Sequence, residues 1–237
     1  RPLISTPKQE ETRMRPVLPV LRRCLLSASL PLLGIGVFSG VALVPSPVQA
    51  AEAVTVDELL AGFAKMPGLY AEFRQESRFG LLAEPLIDTG TIHFADGTLA
   101  RRTLTPTPSV VVMDDAGIEF GDGKKHERIE LDAKPVVRQF VDAFTNIFAG
   151  DRKGLEALYR VEFVAGQGRA WTLTLVPKVS PMDEIIAKVV VTGAELDIAT
   201  MRVVEHSGDE TLTLFSKVDA QRKYSKIEMA KLFSVEL

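Results

Sequence analysis

Leu69-Tyr70-Ala71-Glu72-Phe73-Arg74 alternates residue by residue, with Leu69, Ala71 and Phe73 set against Tyr70, Glu72 and Arg74. A period of two places the two sets on opposite sides of an extended chain, so this stretch predicts a strand with one buried face. Just upstream, Leu59, Leu60, Phe63 and Met66 fall on one helical stripe. Thr55 with Glu58 forms a T-x-x-E capping box ahead of that stripe, and Pro67-Gly68 ends it.

Downstream the alternation returns at Ile92 and Phe94, Val110 and Val112, and Ile118 and Phe120. It continues at Val161 and Phe163, at Trp171, Leu173 and Leu175, at Val189 and Val191, at Leu196 and Ile198, and at Leu212 and Leu214. Asp96-Gly97, Gly121-Asp122-Gly123, Gly166-Gln167-Gly168 and Ser207-Gly208-Asp209 lie between such runs, as hairpin turns do in a meander. A second helical stripe interrupts the series, with Val137, Phe140, Val141, Phe144 and Phe148 at spacings of three and four behind Pro135. Residues 51–237 therefore read as a single mainly-β domain. About nine antiparallel strands form one sheet, with two or three helices laid against it. Periodicity leaves open whether that sheet closes on a filled core or curls around a gap beneath the helices.

The start of the chain reads differently. Arg15, Arg22 and Arg23 precede Leu25 to Val44, which carry no charge, and Val48-Gln49-Ala50 ends the stretch with small residues around a cut. Basic, apolar and small-residue regions in this order predict a cleavable secretory signal over residues 1–50, headed by Met14, with residues 1–13 upstream of the true start. The rival reading is an uncleaved anchor, since the apolar run is long enough to span a bilayer. Pro31, Gly34, Gly36 and Gly40 argue against that helix. Arg22-Arg23 leaves Sec and twin-arginine export both open. No lipobox precedes Cys24.

Removal of residues 1–50 takes away the only cysteine. Thiol nucleophiles, disulfides and thiolate metal sites go with it. The remainder holds 22 basic and 29 acidic residues, a balance of −7, which disfavours nucleic acid as a partner. His93, His126 and His206 stand far apart without a second ligand at helical spacing, and His93 reads as the outward side of a strand. Gly117 to Lys125 only superficially resembles a phosphate loop and reads as a hairpin. No Gly-x-Ser-x-Gly elbow occurs, and His206-Ser207-Gly208-Asp209 are neighbours in a turn, which cannot converge as a triad. The expectation is a protein without catalytic residues, metal or cofactor.

The order of segments resembles the LolA family, the periplasmic carriers of outer-membrane lipoproteins. Ala71-Glu72-Phe73-Arg74-Gln75 is similar to that family's F-x-Q strand, and Gly90-Thr91-Ile92-His93-Phe94 to its glycine-led second strand. Thr105-Pro106 precedes Val110-Val111-Val112, and Leu175-Val176-Pro177-Lys178 resembles L-x-P-K. Ile198, Met201 and the Gly208–Phe215 hairpin follow at the family's distance. There are departures. Ala95-Asp96-Gly97 stands where the family has an Arg-Pro pair that holds its lid, Arg101-Arg102 where it has Arg-Trp, and Asp115-Ala116 where it has Asp-Gly.

The resemblance implies an incomplete, strongly curved antiparallel β-barrel covered by two or three helices. It also implies a monomeric carrier that shields acyl chains of lipoproteins, or of related lipids such as a glycolipid, in transit to the outer membrane. An inner-membrane releasing complex and an outer-membrane acceptor would be its partners. Phe73, Ile92, Phe94, Val110, Val112, Phe120, Trp171, Leu173 and Leu175 are the expected cleft residues of the sheet. Leu59, Phe63, Phe140, Phe144 and Phe148 are those of the helical lid. Arg101 and Arg102 are candidates for gating. The alternative is a periplasmic regulatory or interaction module of the same fold, with a filled core and no cargo.

Overall fold

The structure, a computed structural model, describes residues 53–131 and 134–237. The expected export signal, residues 1–50, lies outside them. Eleven strands form one sheet: β1 (Leu69–Arg78), β2 (Leu86–Ala95), β3 (Thr98–Thr105), β4 (Ser109–Met113), β5 (Gly117–Gly121), β6 (His126–Glu130), β7 (Tyr159–Ala165), β8 (Ala170–Pro177), β9 (Ile186–Ala194), β10 (Asp197–Glu205) and β11 (Glu210–Asp219). Five helices accompany them: α1 (Val56–Phe63), α2 (Pro135–Ala149), α3 (Arg152–Leu158), α4 (Met182–Ile185) and α5 (Lys226–Leu232).

The sheet runs in the order β6-β5-β4-β3-β2-β1-β11-β10-β9-β8-β7, with all neighbours antiparallel. Pairing of the first strand with the last joins two meanders and leaves β6 and β7 as the edges. These edges are consecutive strands, so the chain must cross from one side of the sheet to the other between them. It does so through α2 and α3. Helix α2, one of the expected lid helices, is thus part of the connection that bridges the open edges of an unclosed barrel.

Two strands escaped the sequence reading. Strand β3 turns Leu99, Arg101 and Thr103 to the inner side, and a cation in the middle of that set breaks the apolar alternation. Strand β6 is an edge whose residues are largely exposed, with Ile129 its single apolar contact to the core, so little periodicity is needed. Helix α5 carries a full capping box between Ser225 and Glu228, as α1 does between Thr55 and Glu58. Helix α2 begins at Pro135, whose fixed φ suits a first turn, and stops at Gly150 in the left-handed region at φ 71°.

The core lies on the sheet's inner face, under α1 and α2. Leu59, Leu60 and Phe63 of α1 pack with Trp171, Leu173 and Leu175 of β8. Val137 and Val141 of α2 pack on Met113 and Ile118, while Phe144 and Phe148 reach Leu69 and Phe94. Helix α2 therefore spans the inner face from β4–β5 to β8.

Candidate functional site

The aromatic residues of the lid meet those of the sheet directly. Phe94 lies 4.2 Å from Phe148 and 5.6 Å from Phe144 by ring centroids, and the two α2 rings are 4.7 Å apart. Phe63 continues the chain, 5.6 Å from Phe148 and edge-on to Trp171 at 6.2 Å. Where a gap under the helices was one of two readings, this part of the inner face is closed by ring-to-ring contact. The geometry is the tilted and edge-to-face packing that aromatic quadrupoles favour.

Register sorts the remaining expected residues. Ala71, Ile92, Arg101, Val111 and Phe120 lie in one cross-strand row, so Ile92 and Phe120 share the inner face with Phe73 and Phe94. Val110 and Val112 do not. They pair with Arg102 and Ala100, one residue out of step, and sit on the outer face. They do not line the expected cleft. Alternation shows that a strand has two faces but not which face turns inward, and this strand is apolar on both sides. Phe140 also departs from the expected set. It is 37% exposed and lies at the margin of the α2 stripe, whereas Val137 and Val141 are buried.

Arg101 and Arg102, paired as gating candidates, separate to the two faces. Arg101 turns inward. Its guanidinium lies 4.3 Å from the centroid of the Phe73 ring and donates to Thr103 Oγ1 at 2.9 Å and Gln75 Oε1 at 3.3 Å. Asp88 stands 3.9 Å away, beyond hydrogen-bond reach. Burial lowers the Arg101 pKa to about 10 against the opposing pull of Asp88. Beneath Phe73 is Gly90, where a Cβ would come within 2.8 Å of the ring edge. Glycine there lets the ring lie down on β2 with the guanidinium above it.

Along β1 the inner face thus changes from Leu69, Ala71 and Phe73 to Gln75 and Ser77. Thr103 on β3 and Thr211 and Thr213 on β11 extend the polar end, and all five polar residues are at most 5% exposed. Sequence reading missed this division, although Gln75, Ser77, Arg101 and Thr103 mark it at alternate positions.

Arg102 turns outward and closes the segment 221–237 onto the convex side. It donates to the carbonyls of Leu232, Ser234 and Glu236 at 3.3, 3.0 and 2.7 Å. Tyr224 donates to the Leu69 carbonyl at 2.7 Å, which leaves its oxygen to accept from His93 Nδ1 at 3.1 Å. His93 Nε2 then accepts from Thr91 Oγ1 at 3.0 Å, so the neutral imidazole is satisfied at both nitrogens. Phe233 packs edge-on to both Tyr224 and His93. His93 is on the outward side as its alternation predicts, but only 6% exposed under this cover. The Ser225–Glu228 capping box was the sequence signal for the covering helix.

The sequence profile of the family described as outer membrane lipoprotein carrier protein LolA-like matches residues 48–234. The chain belongs to this family. The match covers the whole sheet, both core helices and most of the covering segment, so the expected LolA-like fold holds. A search of curated proteins finds no match to this LolA-like chain. Among solved structures it is similar to the Pseudomonas aeruginosa MucA/MucB complex, at 15% identity and a TM-score of 0.45, over 73% of this chain and 58% of that one. The chain thus spans little more than half the length of that relative. It is also similar to a putative outer membrane lipoprotein-sorting protein domain from Vibrio parahaemolyticus, at 12% identity and a TM-score of 0.42, over 74% and 95%. The LolA superfamily protein NE2245 from Nitrosomonas europaea aligns at 10% identity and a TM-score of 0.39, over 77% and 98%.

Proposed function

We propose that this LolA-like protein is a periplasmic carrier that shields acyl chains of lipoproteins or related lipids on their way to the outer membrane. In this reading residues 1–50 direct export and are removed. The observation that carries it is the inner face of an unclosed sheet, lined by Phe94, Leu173 and Leu175 and covered by an amphipathic helix whose Phe144 and Phe148 rest on it. Helix α2 is tied to the sheet there by apolar contact, which is non-directional and re-forms equally well on hydrocarbon. Displacing it exposes a surface suited to an acyl chain.

The magnitudes permit a reversible cycle. Burial of a methylene contributes about 0.8 kcal/mol, so a sixteen-carbon chain gains at most on the order of 12 kcal/mol. Separating the Phe94, Phe144 and Phe148 rings opposes that gain, because the faces they press together are already out of water. A load held by the difference of two such terms can be released. An inner-membrane complex that loads the carrier and an outer-membrane acceptor with higher affinity would give direction without catalysis or cofactor.

A second reading is a regulatory or interaction module with a filled core. The direct ring contacts favour it, since they leave the Phe94 surface occupied. One experiment separates the two. Purified protein lacking residues 1–50 is extracted with organic solvent for mass spectrometry, and titrated with a fluorescent hexadecanoyl probe. The carrier should yield lipid or bind the probe saturably with one site. Neither lipid nor binding would select the filled module.

A further inference from the structure

We propose that the polar end of the inner face, centred on Arg101, is a head-group site that selects acylated molecules carrying an anionic group, phosphate or carboxylate. The inference rests on the carrier reading and deepens it by naming a cargo class.

The placement is unusual for a guanidinium. Arg101 points to the concave side, where its cross-strand neighbours Ile92 and Val111 are apolar, and its side chain is 12% exposed. A buried cation is costly unless paired and hydrogen-bonded. Among the described residues its hydrogen bonds go to two neutral oxygens, on Thr103 and Gln75, and its counter-ion is Asp88, an ion pair at 3.9 Å that is too long for a hydrogen bond. Guanidinium offers five N–H donors in a planar fork. Two are used, so the fork retains donors for a second oxygen-rich partner. Phe73, seated on Gly90, holds the guanidinium plane from one side and fixes its orientation.

A second, independent observation lies on the same face. Ser77 Oγ is buried and has no hydrogen-bond partner, in a side chain that is 0% exposed. Ser77 is two residues beyond Gln75 on β1 and directly opposite Thr211 on β11, so it belongs to the same polar end. A buried hydroxyl without a partner costs free energy that an added acceptor would recover. Phosphate and carboxylate oxygens match both groups, as acceptors for the unused donors of the Arg101 fork and for the hydroxyl.

The position is also right for an amphiphile. Leu69, Ala71 and Phe73 lead along β1 from the core under α2 to Gln75 and Ser77. An acyl chain laid along the apolar end would therefore bring its head to the polar end. A purely structural Arg101 would stabilise the fold without distinguishing one head group from another.

The test compares fluorescent hexadecanoate with the hexadecanol analogue of the same chain and label, on protein lacking residues 1–50. The parent should bind the anion at least about tenfold more tightly, as expected for charge-assisted bonds in a buried site. Arg101→Gln should remove that preference, lowering hexadecanoate affinity to that of the alcohol. Arg101→Lys keeps the charge without the fork and should retain part of it, and it carries the test if Arg101→Gln does not fold. Equal binding of the two probes by the parent, or a preference that survives in the variants, overturns the head-group site and leaves the carrier reading intact. Inorganic phosphate competing as well as the acyl anion would overturn the assignment to a lipid head. Binding of neither probe overturns the carrier reading and this inference together.

Discussion

Arg101 and Arg102 are adjacent in the chain and serve opposite faces of one sheet. The first stacks on Phe73 inside the curve, and the second grips the carbonyls of residues 232, 234 and 236 outside it. The period of a strand makes this unavoidable. It divides the two functions that a paired reading had joined, leaving Arg102 to the fastening of α5 and Arg101 to the concave face.

Loss of the outer grip should loosen the cover without touching the core. In Arg102→Ala the backbone amides of residues 226–234 are expected to exchange hydrogen at least about tenfold faster, because charge-assisted bonds to carbonyls at and beyond the end of α5 are lost. Acyl binding should stay at the parent level. Unchanged exchange would show that Phe233 and Tyr224 hold the segment by themselves.

The two lid phenylalanines should respond to a charge with losses of different size. Phe140 is 37% exposed, so Phe140→Glu should change stability by no more than about 1 kcal/mol. Phe144 meets Phe94 and Phe148, and Phe144→Glu puts a carboxylate against those rings at a loss of at least about 3 kcal/mol. Urea denaturation of the pair reads the difference directly. Equal losses would mean that Phe140 is buried in solution.

Truncating Phe144 tests the lid more gently. Phe144→Ala removes two ring contacts and should lower stability by about 2 kcal/mol, below the range for a fully buried aromatic because Phe144 is only partly buried. In a carrier the space it leaves admits hydrocarbon, so acyl probe affinity should hold or rise. A filled module would lose the same stability and gain no binding, which probe titration would show.

Acid should weaken the outer-face cover through His93. Burial, with Arg102 and Arg222 nearby, lowers its pKa from 6.5 to about 4. Between those values the unfolded chain takes up a proton that the folded protein refuses, so stability is full above pH 6.5 and falls as pH drops towards 4. The decline is on the order of 3 kcal/mol at most. Thermal unfolding of parent and His93→Gln at pH 7.5, 5.5 and 4.5 checks it. The variant should lose less of its melting temperature over that range. Parallel curves would assign the acid sensitivity to other groups.

Hydrogen exchange across residues 137–148 reports how the lid is held. Ala95-Asp96-Gly97, in place of the Arg-Pro pair, forms the β2–β3 turn with Asp96 and Gly97 at φ 48° and 75°. The contacts of Phe144 and Phe148 with Phe94 are apolar. Opening should therefore be frequent in the empty protein and suppressed by a bound acyl probe. Strong protection without lipid, unchanged on its addition, would mean a rigid lid.

Much of this protein was legible before its structure. Alternation from Leu69 to Phe73 and its returns, with glycine turns between, specify an antiparallel meander, because a strand's side-chain period follows from backbone geometry alone. The capping box at Thr55 and the stripe ending at Phe148 specify the covering helices for the same local reason. Segment order added the family. What local pattern does not contain is pairing across long separations. Only tertiary structure joins β1 to β11, and so makes β6 and β7 the open edges that α2 must bridge. Only register decides that Val110 faces outward while Phe120 faces inward, since a strand apolar on both sides reads the same in either orientation. The polar end of the inner face has the same origin. Gln75, Arg101, Thr103 and Thr213 look like solvated strand residues one strand at a time, and become one inward cluster when β3, β1 and β11 bring them together across β2.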